Sequence, residues 1–478
     1  MSEALKAVDA GSVTELEADL IRAMAARSSK ETHEAVDLSK MFFGNTKELN
    51  VAYAEAMKEV SEKHKENHDV LYFYVEALMN LNPWQLWVKD SSGDIKAANE
   101  TTTTIAHLLE EALAKTPMHA GLCHLYIHTM ELSPTPEKAL PQADVLRTAM
   151  PGYGHLVHVA SHIDAWVGQY KEGLEANIKG VEADDAYVEA TGIDSSFYKF
   201  YRLHNVHFVV WMAMFDGQSR IAFEYAEKIT RMLPAGDNGV EFMLAKVVPM
   251  GAVYFEAFAS VKWHVMIRFG KWLDLLQMPV PKKDGIFAST LATARYARAI
   301  AFAATNRIKE AEAEERRFHE ALADPKLQGR CLHNNLMWKD DGSPSILGVA
   351  EYMLKGEIAY RKGHYDDAFC CLKEATKRDD GLAYDEPWGW MLPSRHALGA
   401  LLLEQNKPQE AAEVYRQDLT VNKNNMWALF GLTKCLKAGA PPLPGETLAA
   451  LHAKFKDASK RADIKFDHTC FCAGLKQA

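Results

Sequence analysis

Three stretches of this chain carry histidines at helical spacing, and imidazoles stacked one turn apart are ligands for a divalent transition metal. His124-Leu-Tyr-Ile-His128-Thr-Met-Glu131 sets two imidazoles and a carboxylate at i, i+4 and i+7. His155-Leu-Val-His158-Val-Ala-Ser-His162 sets three imidazoles at i, i+3 and i+7. His204-Asn-Val-His207 adds a pair at i, i+3, and Trp211 continues its face. On an α-helix each set shares one side. The chain has 19 histidines, and eight of them fall between His119 and His207. One such pair in a helical protein is more often packing than ligation. Three stripes this close together argue for a bound metal, with imidazoles packed as core residues as the competing reading.

The expected ligands are His124, His128, His158, His162, His204 and His207. Glu131 shares the face of His124 and His128, and is expected to ligate or to orient a ligand. Glu76 lies in the apolar run Leu71-Tyr-Phe-Tyr-Val-Glu76-Ala-Leu-Met, where a carboxylate needs a cation, a proton or a donor. A catalytic role for Glu76 stands beside a simpler one, a hydrogen bond to Tyr72 or to a neighbouring helix. His264, Asp385 and Glu386 are weaker candidates. Tyr126, Tyr153, Trp166, Tyr201, Phe208, Trp211 and Trp263 would serve as pocket walls or as core.

A histidine-dominated set favours copper or iron for oxygen chemistry, with zinc and hydrolysis as the alternative. The expected activity is a metal-dependent oxidoreductase acting on a small molecule. Its rival is a non-catalytic repeat scaffold that holds a peptide or protein in its groove. No GxGxxG, no phosphate-binding lysine loop, no GxSxG elbow and no CxxC pair occurs. Dinucleotide, nucleoside triphosphate and serine-hydrolase functions therefore lack support.

The elements that must position these residues are helical. A phrase recurs in which a helix ends on Gly or Asn and a second helix opens with Ala and acidic residues close behind. It stands at Gly168, Gly217, Gly270, Asn306, Gly363 and Asn406. Gly or Asn supplies a left-handed cap, and a small residue lets the second helix pack close. The intervals, 49, 53, 36, 57 and 43 residues, exceed the roughly 34 of a regular tetratricopeptide array. The expected fold is all-α, an α-solenoid of irregular tetratricopeptide-like helical hairpins with insertions between them. Ala350–Asp380 and Leu398–Asn424 are the clearest hairpins, followed by a capping helix over Met426–Ala438.

A soft boundary is expected near residues 276–285, where Pro279, Pro281 and two lysines cluster. That gives a histidine-rich region over 1–275, repeats over 276–440, and a capping helix with a tail over 441–478.

With 478 residues, 48% hydrophobic and 25% charged, the composition is that of a globular protein. A net charge of −10 argues against binding a phosphate backbone. No apolar run approaches the roughly 18 residues of a membrane span, and the opening residues do not read as a signal peptide. Seven cysteines without a framework rhythm read as reduced thiols of a cytoplasmic protein. The tail His468-Thr-Cys470-Phe-Cys472 is expected to fray rather than to bind metal.

The phrases His124-Leu-Tyr-Ile-His128-Thr-Met-Glu131-Leu-Ser-Pro, Gly154-His-Leu-Val-His158-Val-Ala-Ser-His162-Ile-Asp-Ala-Trp and His204-Asn-Val-His207-Phe resemble a group of large tetratricopeptide-repeat proteins. Bacteria, fungi and algae carry them. Glu76-Ala-Leu-Met-Asn-Leu-Asn-Pro-Trp84 and Tyr384-Asp-Glu-Pro-Trp388 are similar to that group as well. The likeness spans about residues 50–435. It implies an α-solenoid and brings no particular reaction with it.

Overall fold

The computed structural model describes residues 1–28, 47–89, 94–193, 196–233, 256–283 and 285–474. Two compact units divide between Ile163 and Asp164. The boundary expected near residues 276–285 thus falls inside the second unit. The short helix before it and the long helix after it pack on one another, so the two prolines stand in a turn between packed helices and not in a linker between units.

The first unit runs α1 (Ser2–Asp9), α2 (Glu15–Ala26), α3 (Lys47–Lys63), α4 (His68–Met79), a β1–β2 hairpin (Trp87–Lys89, Ile95–Ala97), α5 (Glu100–Lys115), α6 (Ala120–Met130) and α7 (Leu140–Ala149). From α2 onward each helix packs on the next, and α4 also meets α6. Side-chain caps start several of them. Thr14 and Glu17 form a capping box on α2, Asn67 caps α4 and Asn99 caps α5. Helix α8 (Gly154–Val167) runs through the division.

The second unit continues with α9 (Tyr170–Thr191), α10 (Ser196–Phe215), α11 (Ser219–Met232), α12 (Val261–Arg268), α13 (Trp272–Gln277), α14 (Ala288–Ala304) and α15 (Ile308–Leu322). A two-stranded β3–β4 hairpin (Cys331–Leu332, Asn335–Leu336) follows. Then come α16 (Ile346–Arg361), α17 (Tyr365–Asp380), α18 (Ser394–Glu404), α19 (Pro408–Val421), α20 (Met426–Lys437) and α21 (Leu448–Ala458). Neighbours in sequence are neighbours in space, and α14 meets α16 as α18 meets α20. This is the tetratricopeptide-like α-solenoid of helical hairpins that the turn phrases predict.

All six turn residues, Gly168, Gly217, Gly270, Asn306, Gly363 and Asn406, sit in the left-handed region, with φ between 56° and 80°. At Gly168 glycine is also required by space, because a Cβ would fall 2.0 Å from the Lys423 carbonyl oxygen.

The tail differs from expectation. Thr469, Cys472 and Ala473 are buried, and Cys470 is joined to Cys472. The segment does not fray because it lies across the hairpins. Asp463 accepts from the backbone N–H groups of Ser219 and Arg220, Phe466 packs on Trp427, and Thr469 donates to the His396 carbonyl. Arg361 donates to the Cys472 carbonyl. The two tail cysteines are therefore no longer thiols. Cys123, Cys331, Cys370, Cys371 and Cys435 remain free. No helix among the described residues is long and apolar enough to cross a membrane.

Candidate metal centre

Helix α6 is buried on most of its surface. Leu122, Cys123, Leu125, Tyr126, Ile127 and Met130 are all nearly inaccessible. It is wedged against α4, α5 and α7. His119 precedes its first turn and accepts the Leu122 N–H at Nδ1. With the helix so fixed, His124 and His128 are held on its remaining face, and Glu131 at its C-terminal end. Helix α8 buries Val157, Val159, Ala160 and Ile163, which turns its histidine stripe to the other side.

Five imidazoles of the two helices meet in a chain of ring contacts. Ring centroids lie 4.8 Å apart for His124 and His128, 5.3 Å for His124 and His155, and 4.8 Å for His128 and His162. His155 lies 6.0 Å from His158, which lies 5.0 Å from His162. One potential ligand atom from each of His124, His128 and His155 falls within 4.8 Å of the others, and the same holds for His128, Glu131 and His162. His158, His162 and Glu131 are buried.

Glu131 organises this group. Its Oε1 accepts from His128 Nδ1 at 2.9 Å and its Oε2 from His162 Nδ1 at 2.7 Å. A neutral imidazole that donates through Nδ1 carries its lone pair on Nε2. His162 Nε2 in turn stands 3.1 Å from His158 Nε2. For metal–nitrogen bonds of about 2.0–2.1 Å, two nitrogens so separated subtend about 100° at a shared ion. That lies between the octahedral and tetrahedral angles.

The electrostatics point the same way. Burial, with His128, His155 and His162 close by, holds the His124 pKa well below its usual value. Burial and the proximity of His128 and His162 push His155 down to about 3. These two rings are therefore neutral at pH 7, with lone pairs to offer. Burial opposes ionisation of Glu131, but His162 and His128 at its two oxygens outweigh it and hold the carboxyl well below the usual range. A buried carboxylate within a cluster of imidazoles is an environment that a divalent cation neutralises.

The remaining expected site residues are described within their own units. Glu76 on α4 faces the Arg27 guanidinium at 3.9 Å and accepts from the Asn80 side chain. The simpler role expected for it is a hydrogen bond to Tyr72 or to a neighbouring helix; the donor here is Asn80, which caps the end of the same helix. His204 and His207 belong to the second unit. There the His204 ring lies 5.7 Å from that of His333, and His207 Nε2 lies 3.3 Å from Met391 Sδ. Burial, together with His333 and His264, holds the His207 pKa well below its usual value. His264 packs edge-on to Trp390 at 5.2 Å. Asp385 accepts from the backbone N–H of Asn334 and from the Asn335 side chain, each at 2.7 Å. It pins the Tyr384–Trp388 loop to the β3–β4 hairpin.

Of the aromatic residues, Phe208, Trp211 and Trp263 are buried core. Tyr126 donates to Glu110, and Tyr153 is exposed. His155 is the member of the group that the expected ligand set omits. Its i, i+3 relation to His158 was the available signal.

No family model and no curated protein matches the chain. Among solved structures, it is similar to the crystal structure of the P58(IPK) TPR domain. The two are 12% identical over 83% of this chain and 95% of that one, at a TM-score of 0.22. It is also similar to the structure of Naa15/Naa10 bound to HypK-THB, 10% identical over 93% and 76% of the two chains, at a TM-score of 0.23.

Proposed function

We propose that the first unit holds a transition-metal centre and that the chain is a metal-dependent enzyme, an oxidoreductase acting on a small molecule. The observation that carries this reading is the Glu131 carboxylate held between two Nδ1 atoms, with the far nitrogen of His162 turned to His158 at 3.1 Å. The carboxylate–imidazole pairing is the one that metal-binding histidines use to fix ring orientation and raise basicity. Imidazole-rich donor sets favour copper or iron, with zinc next. His124, His128, His155, His158 and His162 supply the nitrogens. His204 and His207 remain ligand candidates on the strength of their spacing.

Elemental analysis of the purified full chain tests the proposal. Copper, iron or zinc in stoichiometric amount is expected. Loss of at least half of it is expected in both His128→Ala and His162→Ala, with helical content unchanged. A wild-type chain that carries no metal and takes up none of the three on titration would overturn the reading.

A second reading, a scaffold for an extended peptide, has one observation in its favour. In the second unit the chain's own residues 463–473 lie across successive hairpins, with Arg361 donating to a tail carbonyl. A chain that remains metal-free while capturing peptides of this sequence would support it.

A further inference from the structure

We infer that the centre holds two metal ions, and that Glu131 serves both by fixing the tautomer of one imidazole in each ligand group while ligating neither. The inference rests on the metal-centre reading above and deepens it.

Number comes first. Five imidazoles gather here, and an ion of tetrahedral preference takes four ligands in all. The nitrogens also sort into two groups. His124, His128 and His155 offer ligand atoms within 4.8 Å of one another. His158 and His162 set their Nε2 atoms 3.1 Å apart. One ring of each group, His128 in the first and His162 in the second, donates its Nδ1–H to Glu131.

The carboxylate is thereby saturated on the two sides facing the histidines. At 2.9 and 2.7 Å the contacts have the length of charge-assisted hydrogen bonds. A single ion bound at these Nδ1 atoms and at Glu131 would leave the close Nε2 pair of His158 and His162 without a purpose. With Glu131 as a shared acceptor of both Nδ1–H bonds, each of the two rings carries its lone pair on Nε2, one ring in each group. Glu131 is then a positioning residue, acting through His128 and His162.

The substitution Glu131→Gln separates this role from simple packing. The amide has the same shape but only one acceptor oxygen. One ring keeps its Nδ1–H bond to that oxygen. The other faces the NH2, must accept at Nδ1, and so carries its proton on Nε2, where it can no longer ligate.

The experiment is zinc titration of the chelator-treated full chain, followed by elemental analysis after desalting. Two zinc ions per chain are expected in the wild type and one in Glu131→Gln. Glu131→Asp, which keeps two acceptor oxygens on a shorter stem, is expected to keep two ions at weaker affinity. Imidazole 15N shifts of the metal-free wild type give a readout that packing alone would not move. They are expected to show His128 and His162 protonated on Nδ1.

Two ions in both wild type and Glu131→Gln would overturn the positioning role. One ion in the wild type would overturn the second site and leave the metal centre standing. No ion in the wild type would remove the metal centre and this inference with it. Nε2–H tautomers at His128 and His162 would overturn the positioning role even if Glu131→Gln failed to fold.

Discussion

At the scale of the residue, the sequence shows which helix face is rich in nitrogen, and long-range contacts decide which nitrogens meet. His124, His128 and Glu131 were legible as a stripe because i, i+4, i+7 spacing fixes a shared face regardless of surroundings. That His155 joins His158 and His162 in the group was signalled by its spacing but not decided by it. All three share a face, and only the packing of α8 sets how far along the stripe the facing helix reaches. His155→Ala is therefore expected to lower the metal content of the full chain as far as His124→Ala does. His119 is a control from the same cluster in sequence. It donates to Asp69 and accepts the Leu122 N–H, so His119→Ala is expected to leave metal content unchanged. Loss of the cap should cost about 1 kcal/mol of stability, read from urea unfolding. Full metal content in His155→Ala would return that ring to packing. Glu76 shows the converse limit. Its apolar helix signalled a need for a partner; Asn80 supplies one from the end of the same helix, but the charged one, Arg27, comes from the end of a helix distant in sequence. Periodicity along one element does not show it.

At the scale of the element, the six Gly or Asn turns were legible because a left-handed backbone restricts residue type strongly and locally. Gly217, Gly270, Asn306, Gly363 and Asn406 each join two helices that pack on one another. The close approaches between helices were not legible, since they depend on what the facing helix carries. Tyr415 of α19 is fully buried between Gly399 of α18 and Gly431 of α20. A Cβ would stand 2.4 Å from the ring carbon Cζ at Gly399 and 2.3 Å at Gly431. The ring cannot retreat, because its hydroxyl is bonded to Thr469 at 2.6 Å in the buried tail. Gly431→Ala is accordingly expected to destabilise the second unit by about 1–3 kcal/mol, seen as a lower denaturant midpoint. The companion change Tyr415→Leu should partly restore a chain carrying Gly431→Ala by clearing the clash. An unaltered midpoint in Gly431→Ala would show that the clasp gives way at little cost.

At the scale of the whole molecule, the division between Ile163 and Asp164 left no mark in the sequence because it falls within a continuous helix. Chain breaks of the kind that mark linkers, such as the prolines near residue 280, lie within the second unit, in a turn between two packed helices. Each unit is compact in its own right, and the imidazole group built on α6 and α8 belongs to the first. Metal bound there stabilises the state that holds it, by about 2.7 kcal/mol when free metal is a hundred times its dissociation constant. For a unit of this size that amounts to about 5–10 °C in melting temperature. The tryptophans allow the two units to be followed separately. Trp84 and Trp87 lie in the first, and the other eight of the 10, from Trp166 to Trp427, lie in the second. Removing metal with a chelator is therefore expected to bring forward the part of the helical circular-dichroism melt that belongs to the first unit. The main tryptophan fluorescence transition should stay where it was. If chelation moves both signals together by the same amount, the stabilisation is shared along the whole chain and the centre is not confined to the first unit. If it moves neither, no ion was contributing to the folded state.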